Sequence, residues 1–122
     1  MMDKWQKIHS FWSQFGIPAY DENAVPDHAQ MPYITYYAAT SDFEKPIALY
    51  ASVWYRSTSW QEISQKADEI RDAVSPFLCD PIGNGEYVFV TKGTPFAQRM
   101  NDEDSDVKRI YINIDVEFFT HK

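Results

Sequence analysis

The sequence predicts an α+β domain: a four-stranded, mostly antiparallel sheet with helices packed on one face, in the order α-β-β-α-β-β. Three observations predict it. Apolar residues recur at helical spacing from Asp3 to Phe15 and again from Trp60 to Phe77. Two runs rich in β-branched and aromatic residues lie between those segments, and Val107 to Phe119 alternates with period two. A chain of 122 residues is expected to form one domain, residues 1–122.

In the first segment Trp5, Ile8, Trp12 and Phe15 lie along one stripe, widened by Phe11, while Lys4, Lys7, Ser10, Ser13 and Gln14 fall elsewhere. Gly16 and Pro18 stop the helix. Residues 17–30 carry two prolines and no period, so they read as an ordered but irregular or extended connection pinned by Ile17, Tyr20 and Val25. Pro32 to Ala39 and Ile47 to Arg56 read as two strands of an antiparallel hairpin, joined by the polar Ser41 to Pro46 link.

Ser59 opens an S-x-x-E sequence, which predicts a capping box with Glu62. Behind it Trp60, Ile63, Ala67, Ile70, Val74 and Phe77 keep helical spacing until Pro76 interrupts. Cys79 to Gly85 reads as a turn, and Glu86 to Lys92 as a strand. Gly93 to Asp106 is polar and contains a proline, so it is predicted to be a long loop, of the kind that is usually functional or disordered. In the last strand Ile110, Ile112, Ile114, Val116 and Phe118 alternate with Tyr111, Asn113, Asp115 and Glu117.

Composition narrows the function. Lys and Arg number 11 against 18 Asp and Glu, a net charge of -7, which argues against a protein whose work is gripping phosphates. One cysteine, Cys79, cannot close an internal disulfide or begin a zinc ribbon, so a reducing, intracellular setting is expected. No run of apolar residues is long enough for a membrane span, and the N-terminus lacks the apolar core of a signal peptide, so no membrane partner is expected.

Catalytic templates find little purchase. The glycines are Gly16, Gly83, Gly85 and Gly93, with no phosphate-cradling pattern. His9, His28 and His121 show no metal-ligand spacing and read as surface or satisfied polar groups. Cys79 reads as a buried small hydrophobe rather than a nucleophile. The run Asp102-Glu103-Asp104-Ser105-Asp106 lacks the glycine and terminal glutamate of a calcium loop and reads as a solvated loop. Asp115 and Glu117 share a strand face, about 7 Å apart at normal strand rise, but no cleft is implied, so they read as surface carboxylates. We therefore expect no enzyme and no cofactor or metal site.

The chain has 8 Tyr, 8 Phe and 4 Trp, more rings than one small core buries easily. If helices cover the face with Ile110, Ile112 and Ile114, the opposite face carries Tyr111, Asn113, Asp115 and Glu117. It also carries Tyr50, Ser52, Trp54 and Arg56 from the second strand and Tyr33, Thr35 and Tyr37 from the first. That mixture is expected of a subunit interface. The long loop adds Phe96, Arg99 and Met100, an arm able to reach a neighbour. The candidate interface set is Tyr37, Tyr50, Trp54, Phe96, Arg99, Met100, Tyr111 and Asn113, with Asp102, Glu103, Asp104, Asp115 and Glu117 as acidic groups that could face a lumen.

The lead-in Val25-Pro26-Asp27-His28-Ala29-Gln30-Met31-Pro32-Tyr33-Ile34-Thr35-Tyr36, the hairpin, the helix from Trp60 to Val74 and the closing Arg109-Ile110-Tyr111-Ile112-Asn113-Ile114-Asp115-Val116-Glu117-Phe118 carry a resemblance. Together they resemble the tail terminator, or tail completion, family of long-tailed phages and prophages. The resemblance implies a homo-oligomer, a hexameric ring, that caps the tail tube, ends its polymerisation and meets the head-tail connector. It implies the tail tube protein and the connector protein as partners, DNA only as passing cargo, the virion tail as location and the host cytoplasm during assembly. An acidic lumen would keep DNA from sticking. A head completion or minor capsid role, or a ferredoxin-like ligand-binding or regulatory module, are the alternatives.

Overall fold

The computed structural model describes residues 3–37 and 46–120. Helix α1 (Lys4–Trp12) begins at Asp3, whose carboxylate accepts from the Gln6 backbone N–H at 2.7 Å while the Gln6 side chain accepts from the Asp3 N–H at 3.0 Å. This reciprocal capping satisfies two of the donors that a helix start leaves bare. One 3₁₀ turn (Ser13–Phe15) extends the helix, and Gly16 ends it at φ 81, a left-handed conformation that only glycine adopts cheaply. Ile8, Phe11, Trp12 and Phe15 are buried as predicted, whereas Trp5 is exposed.

The sheet has six strands, not four, which corrects the predicted fold class. They are β1 (Ala19–Asp21), β2 (Tyr33–Tyr36), β3 (Ile47–Arg56), β4 (Leu78–Gly83), β5 (Glu86–Met100) and β6 (Val107–Phe119), and helix α2 (Gln61–Ala73) follows β3. The spatial order is β1-β2-β3-β6-β5-β4, and the element order is α-β-β-β-α-β-β-β. The sheet is mixed, because β1 runs parallel to β2 while every other pair is antiparallel.

Each departure from the predicted elements has a local cause. β1 lies inside the connection read as irregular, and its three residues are held by pairing with β2 and by the Ile34 N–H donating to the Pro18 carbonyl at 2.8 Å. β4 occupies the predicted Cys79 to Gly85 turn; the true hairpin turn is shorter, with Asn84 and Gly85 both at positive φ. β5 runs on through the predicted loop. Its register with β6 steps from Lys92↔Ile114 to Ala97↔Ile112, so Gly93, Thr94, Pro95 and Phe96 all stand opposite Asn113. A bulge of this kind lets Pro95 sit in a strand, since no ladder bond needs its missing N–H. The connection that remains, residues 101–106, is short.

The predicted box at Ser59 does not form. Helix α2 has Trp60 at its N-cap with no side-chain cap bond, and the Ser59 hydroxyl instead accepts from the Gln61 N–H at 3.0 Å. Ile63, Ala67, Ile70 and Val74 are buried as the spacing requires, but the helix ends at Ala73 and Phe77 is 54% exposed. Ala38, Ala39, the Ser41 to Lys45 link and His121 lie outside the described residues.

Both helices cover one sheet face. Leu49, Ala51, Val53, Val88, Val90, Ile110, Ile112, Ile114, Val116 and Phe118 pack against Ile8, Phe11, Trp12, Phe15, Ile63, Ala67, Ile70 and Val74. Polar ties fasten the helices: Lys7 pairs with Asp80 of β4, and the Lys66 ammonium donates to the Phe15 carbonyl at 2.6 Å. Among the described residues, no helix is long and apolar enough to cross a membrane.

Candidate assembly interface

The strand parity that turns the aliphatic residues inward turns a second set outward, and register aligns that set across strands. Tyr33, Trp54 and Arg109 are direct neighbours on β2, β3 and β6, as are Thr35, Ser52 and Tyr111. The Tyr37 and Tyr50 rings stack with centroids 4.6 Å apart, and Tyr50 stacks on Tyr111 at 5.1 Å. Tyr20 meets Tyr33 edge to face at 5.9 Å, and Tyr33 lies 6.5 Å from Trp54. The Trp54 indole N–H donates to the Thr35 hydroxyl at 2.9 Å. The Arg109 guanidinium lies 4.8 Å from the Trp54 ring centroid and donates to the Ser52 hydroxyl at 2.9 Å. Every ring in this set is half-buried by its neighbours, so the face is a fixed aromatic pavement rather than loose side chains.

Electrostatics follow the packing. Burial raises the Tyr50 phenol above its ordinary value, with the Glu22 carboxylate adding to the effect; Tyr111 is raised by burial and then by Glu22. On the buried side Tyr36 is raised by burial and by Asp21, and its hydroxyl meets His9 Nδ1 at 2.9 Å. His9 is thus a satisfied polar histidine, as its sequence context suggested.

The predicted interface residues do not all share this face. Tyr37, Tyr50, Trp54, Tyr111 and Asn113 do, and Met100 pairs with Arg109 at its end. Phe96 and Arg99 do not belong with them. Phe96 packs against the core, and Arg99 lies on the helix side with its guanidinium 4.8 Å from the Trp60 centroid and within 3.5 Å of the Ser64 hydroxyl. Phe96 lies within the β5 bulge and Arg99 follows it; the bulge alters the face on which later residues emerge. Asn113 is tied down by its amide donating to the Pro95 carbonyl at 3.0 Å.

The predicted acidic groups form two separate sites. Asp115 and Glu117 lie on the outer face beside Thr91 and Phe89 of β5. Asp102, Glu103 and Asp104 lie in the β5–β6 connection, about 30 Å further along the sheet at normal strand rise. That connection is an ordered turn: Asp102 accepts from the Asp104 N–H, Asp104 accepts from the Asp106 N–H, and Arg56 pairs with Asp104 at 3.1 Å. The Asp106 N–H, and then Arg56, hold the Asp104 carboxyl below its ordinary value.

One part of the surface escaped the sequence reading. Phe77 meets Phe89 edge to face at 5.0 Å, and Tyr87 stacks on Phe119 at 5.1 Å. Phe77, Tyr87 and Phe119 are 54%, 39% and 39% exposed, so this corner of the outer face presents rings to solvent. The signal was available: Tyr87 and Phe89 alternate with Val88 and Val90, and Phe119 shares the parity of Tyr111. Cys79, expected to be buried, is exposed beside Phe89 on the same corner. Among the described residues no cluster of three or more His, Cys, Asp or Glu side chains could hold a metal ion.

No family model and no curated protein matches the chain. Among solved structures, a chain from the virion of a native gene transfer agent particle is similar, with a TM-score of 0.64 at 15% identity, covering 96% of this chain and 90% of that one. The two chains share a fold.

Proposed function

We propose that this chain is a structural protein of a phage-like virion and that it acts by assembly rather than by catalysis, without a cofactor. The observation that carries this reading is the fold shared, over nearly the whole of both chains, with a protein of a gene transfer agent virion. Fold alone does not fix function, so the outer face supplies the second support: its prearranged aromatic and arginine groups are the composition from which stable subunit contacts are made.

Within the virion, the finer reading is tail terminator. Identical subunits form a ring, taken as a hexamer, on the last layer of the tail tube, stop further addition of tube protein and present a surface to the head-tail connector. DNA passes through the ring as cargo, and the net charge of -7 disfavours its retention. The protein would assemble in the host cytoplasm and reside in the virion tail. This reading rests on the Pro32 to Tyr36 and Arg109 to Phe118 resemblance.

The test is to add the purified chain to polymerising tail tube protein from the same genome and measure tube length by electron microscopy. A terminator caps tube ends and shortens the length distribution as its concentration rises. Tubes of unchanged length with the chain bound to connector rings would instead mark a head completion protein, and binding to neither would remove the virion reading.

A further inference from the structure

The asparagines of the chain are Asn23, Asn84, Asn101 and Asn113, and the fold gives them unequal chemistry. An asparagine side chain is open to attack by the backbone nitrogen of the residue that follows it. The reaction needs that nitrogen to be uncrowded, unengaged and reachable by hydroxide from solvent. Three of the four positions impede it. The Ala24 N–H that follows Asn23 donates to the Asp21 carbonyl at 2.8 Å. Asn101 is followed by Asp102, whose Cβ crowds the nitrogen and whose carboxylate repels hydroxide. Asn113 donates its amide to the Pro95 carbonyl at 3.0 Å, and its successor Ile114 is a buried, β-branched residue paired with Leu49 and Lys92.

Asn84 differs in its successor and its setting. Asn84 and Gly85 form the exposed two-residue turn between β4 and β5, at φ 55 and φ 77. Strand pairing closes on Gly83↔Glu86, so the Gly85 N–H lies outside the ladder. Gly85 also has no Cβ to shield its nitrogen.

We propose that Asn84 is a site of spontaneous modification, losing its side-chain amide through a cyclic imide closed by the Gly85 backbone nitrogen. Hydroxide takes the Gly85 amide proton, and the nitrogen forms a bond to Asn84 Cγ. Water protonates Nδ2, the Cγ–Nδ2 bond breaks and ammonia leaves, regenerating hydroxide. Water then opens the ring at either carbonyl to give aspartate or isoaspartate. The net change consumes one water and releases one ammonia, with no oxidation or reduction. Either product adds a negative charge close to Glu86. Isoaspartate also inserts a methylene into the backbone of a turn whose two residues match the strand twist, which loosens the hairpin end where Tyr87 stacks on Phe119.

The test holds the folded full chain warm at mildly alkaline pH and follows each asparagine by peptide mass spectrometry. An isoaspartyl carboxyl methyltransferase with a labelled methyl donor reports isoaspartate. The Asn84 peptide is expected to lose its amide and take up label while the Asn23, Asn101 and Asn113 peptides keep theirs. Asn84→Gly, whose Gly-Gly turn suits the same φ values, is expected to take up no label, with a thermal melt to confirm that it is folded. The wild-type peptide readout stands whether or not that variant folds. A parallel incubation in denaturant supplies the unfolded reference. Asn84 that converts in denaturant but stays intact in the folded chain overturns the proposal, as does earlier conversion of any other asparagine. Label that persists in folded Asn84→Gly overturns it as well.

Discussion

Strand β6 presents two faces built from alternating residues of one sequence. Its inward side, Ile110, Ile112, Ile114, Val116 and Phe118, is buried under both helices and owes its stability to loss of water-exposed apolar area. Its outward side, Arg109, Tyr111, Asn113, Asp115 and Glu117, has no covering layer among the described residues, and Arg109, Tyr111 and Asn113 are held there by stacking and hydrogen bonds. The first face needs only size and apolarity. The second needs particular groups at particular registers, and particular groups are what recognition requires.

This contrast can be sharpened by substitution. Ile112→Ala removes a fully buried side chain at the centre of the sheet and is expected to cost about 2–5 kcal/mol in a denaturant titration. Gly93→Ala comes next, because a Cβ there would stand 2.7 Å from the Asn113 Cβ and 2.9 Å from its backbone; overpacking of that kind costs about 1–3 kcal/mol. Tyr111→Ala, one residue from Ile112, loses a ring stack and is expected to cost only about 0.5–1.5 kcal/mol, while assembly falls far more than stability does. If Tyr111→Ala destabilised the fold as much as Ile112→Ala, the two faces would not differ in kind.

The smallest effect is a pH dependence. The Tyr36 phenol is raised above its ordinary value of 10.0 by burial and by Asp21, so the folded state holds its proton more tightly than the unfolded chain. Its contribution is fully present below pH 10 and is lost as the pH rises through the higher folded value. An alkaline melt series on wild type and Tyr36→Phe should show a steeper loss of stability in the wild type above that point.

Much of the framework was legible. Helical spacing located both helices, and strict alternation located β3 and β6 and assigned their faces, because one-sided burial imposes period two along the whole strand. What was not legible depended on partners distant in the chain. Ala19 to Asp21 has no pattern of its own and is a strand only because Ile34 to Tyr36 lies alongside. Pro95 makes Gly93 to Asp106 look like a loop, yet the bulge against Asn113 absorbs it and β5 continues to Met100. The same continuation of β5 puts Phe96 against the core and Arg99 on the helix side, where a loop arm was expected. At the first helix the capping signal was an aspartate with a glutamine, whereas the more conspicuous Ser59–Glu62 pair did not close. Of the candidate interface, the tyrosine stack and Trp54 followed from parity, but the exposed Phe77 corner did not, because Phe77 falls on the helical stripe of α2 while the helix stops before it.

An outer sheet face that mediates assembly is shielded in the assembled particle, a difference that side-chain oxidation footprinting of the monomeric and assembled protein reads out. Tyr50, Trp54, Tyr87, Tyr111 and Phe119 are expected to lose reactivity on assembly while Trp5, exposed on helix α1, keeps it. Undiminished oxidation of the outer rings in an assembled particle, with protection confined to the helices, would contradict it.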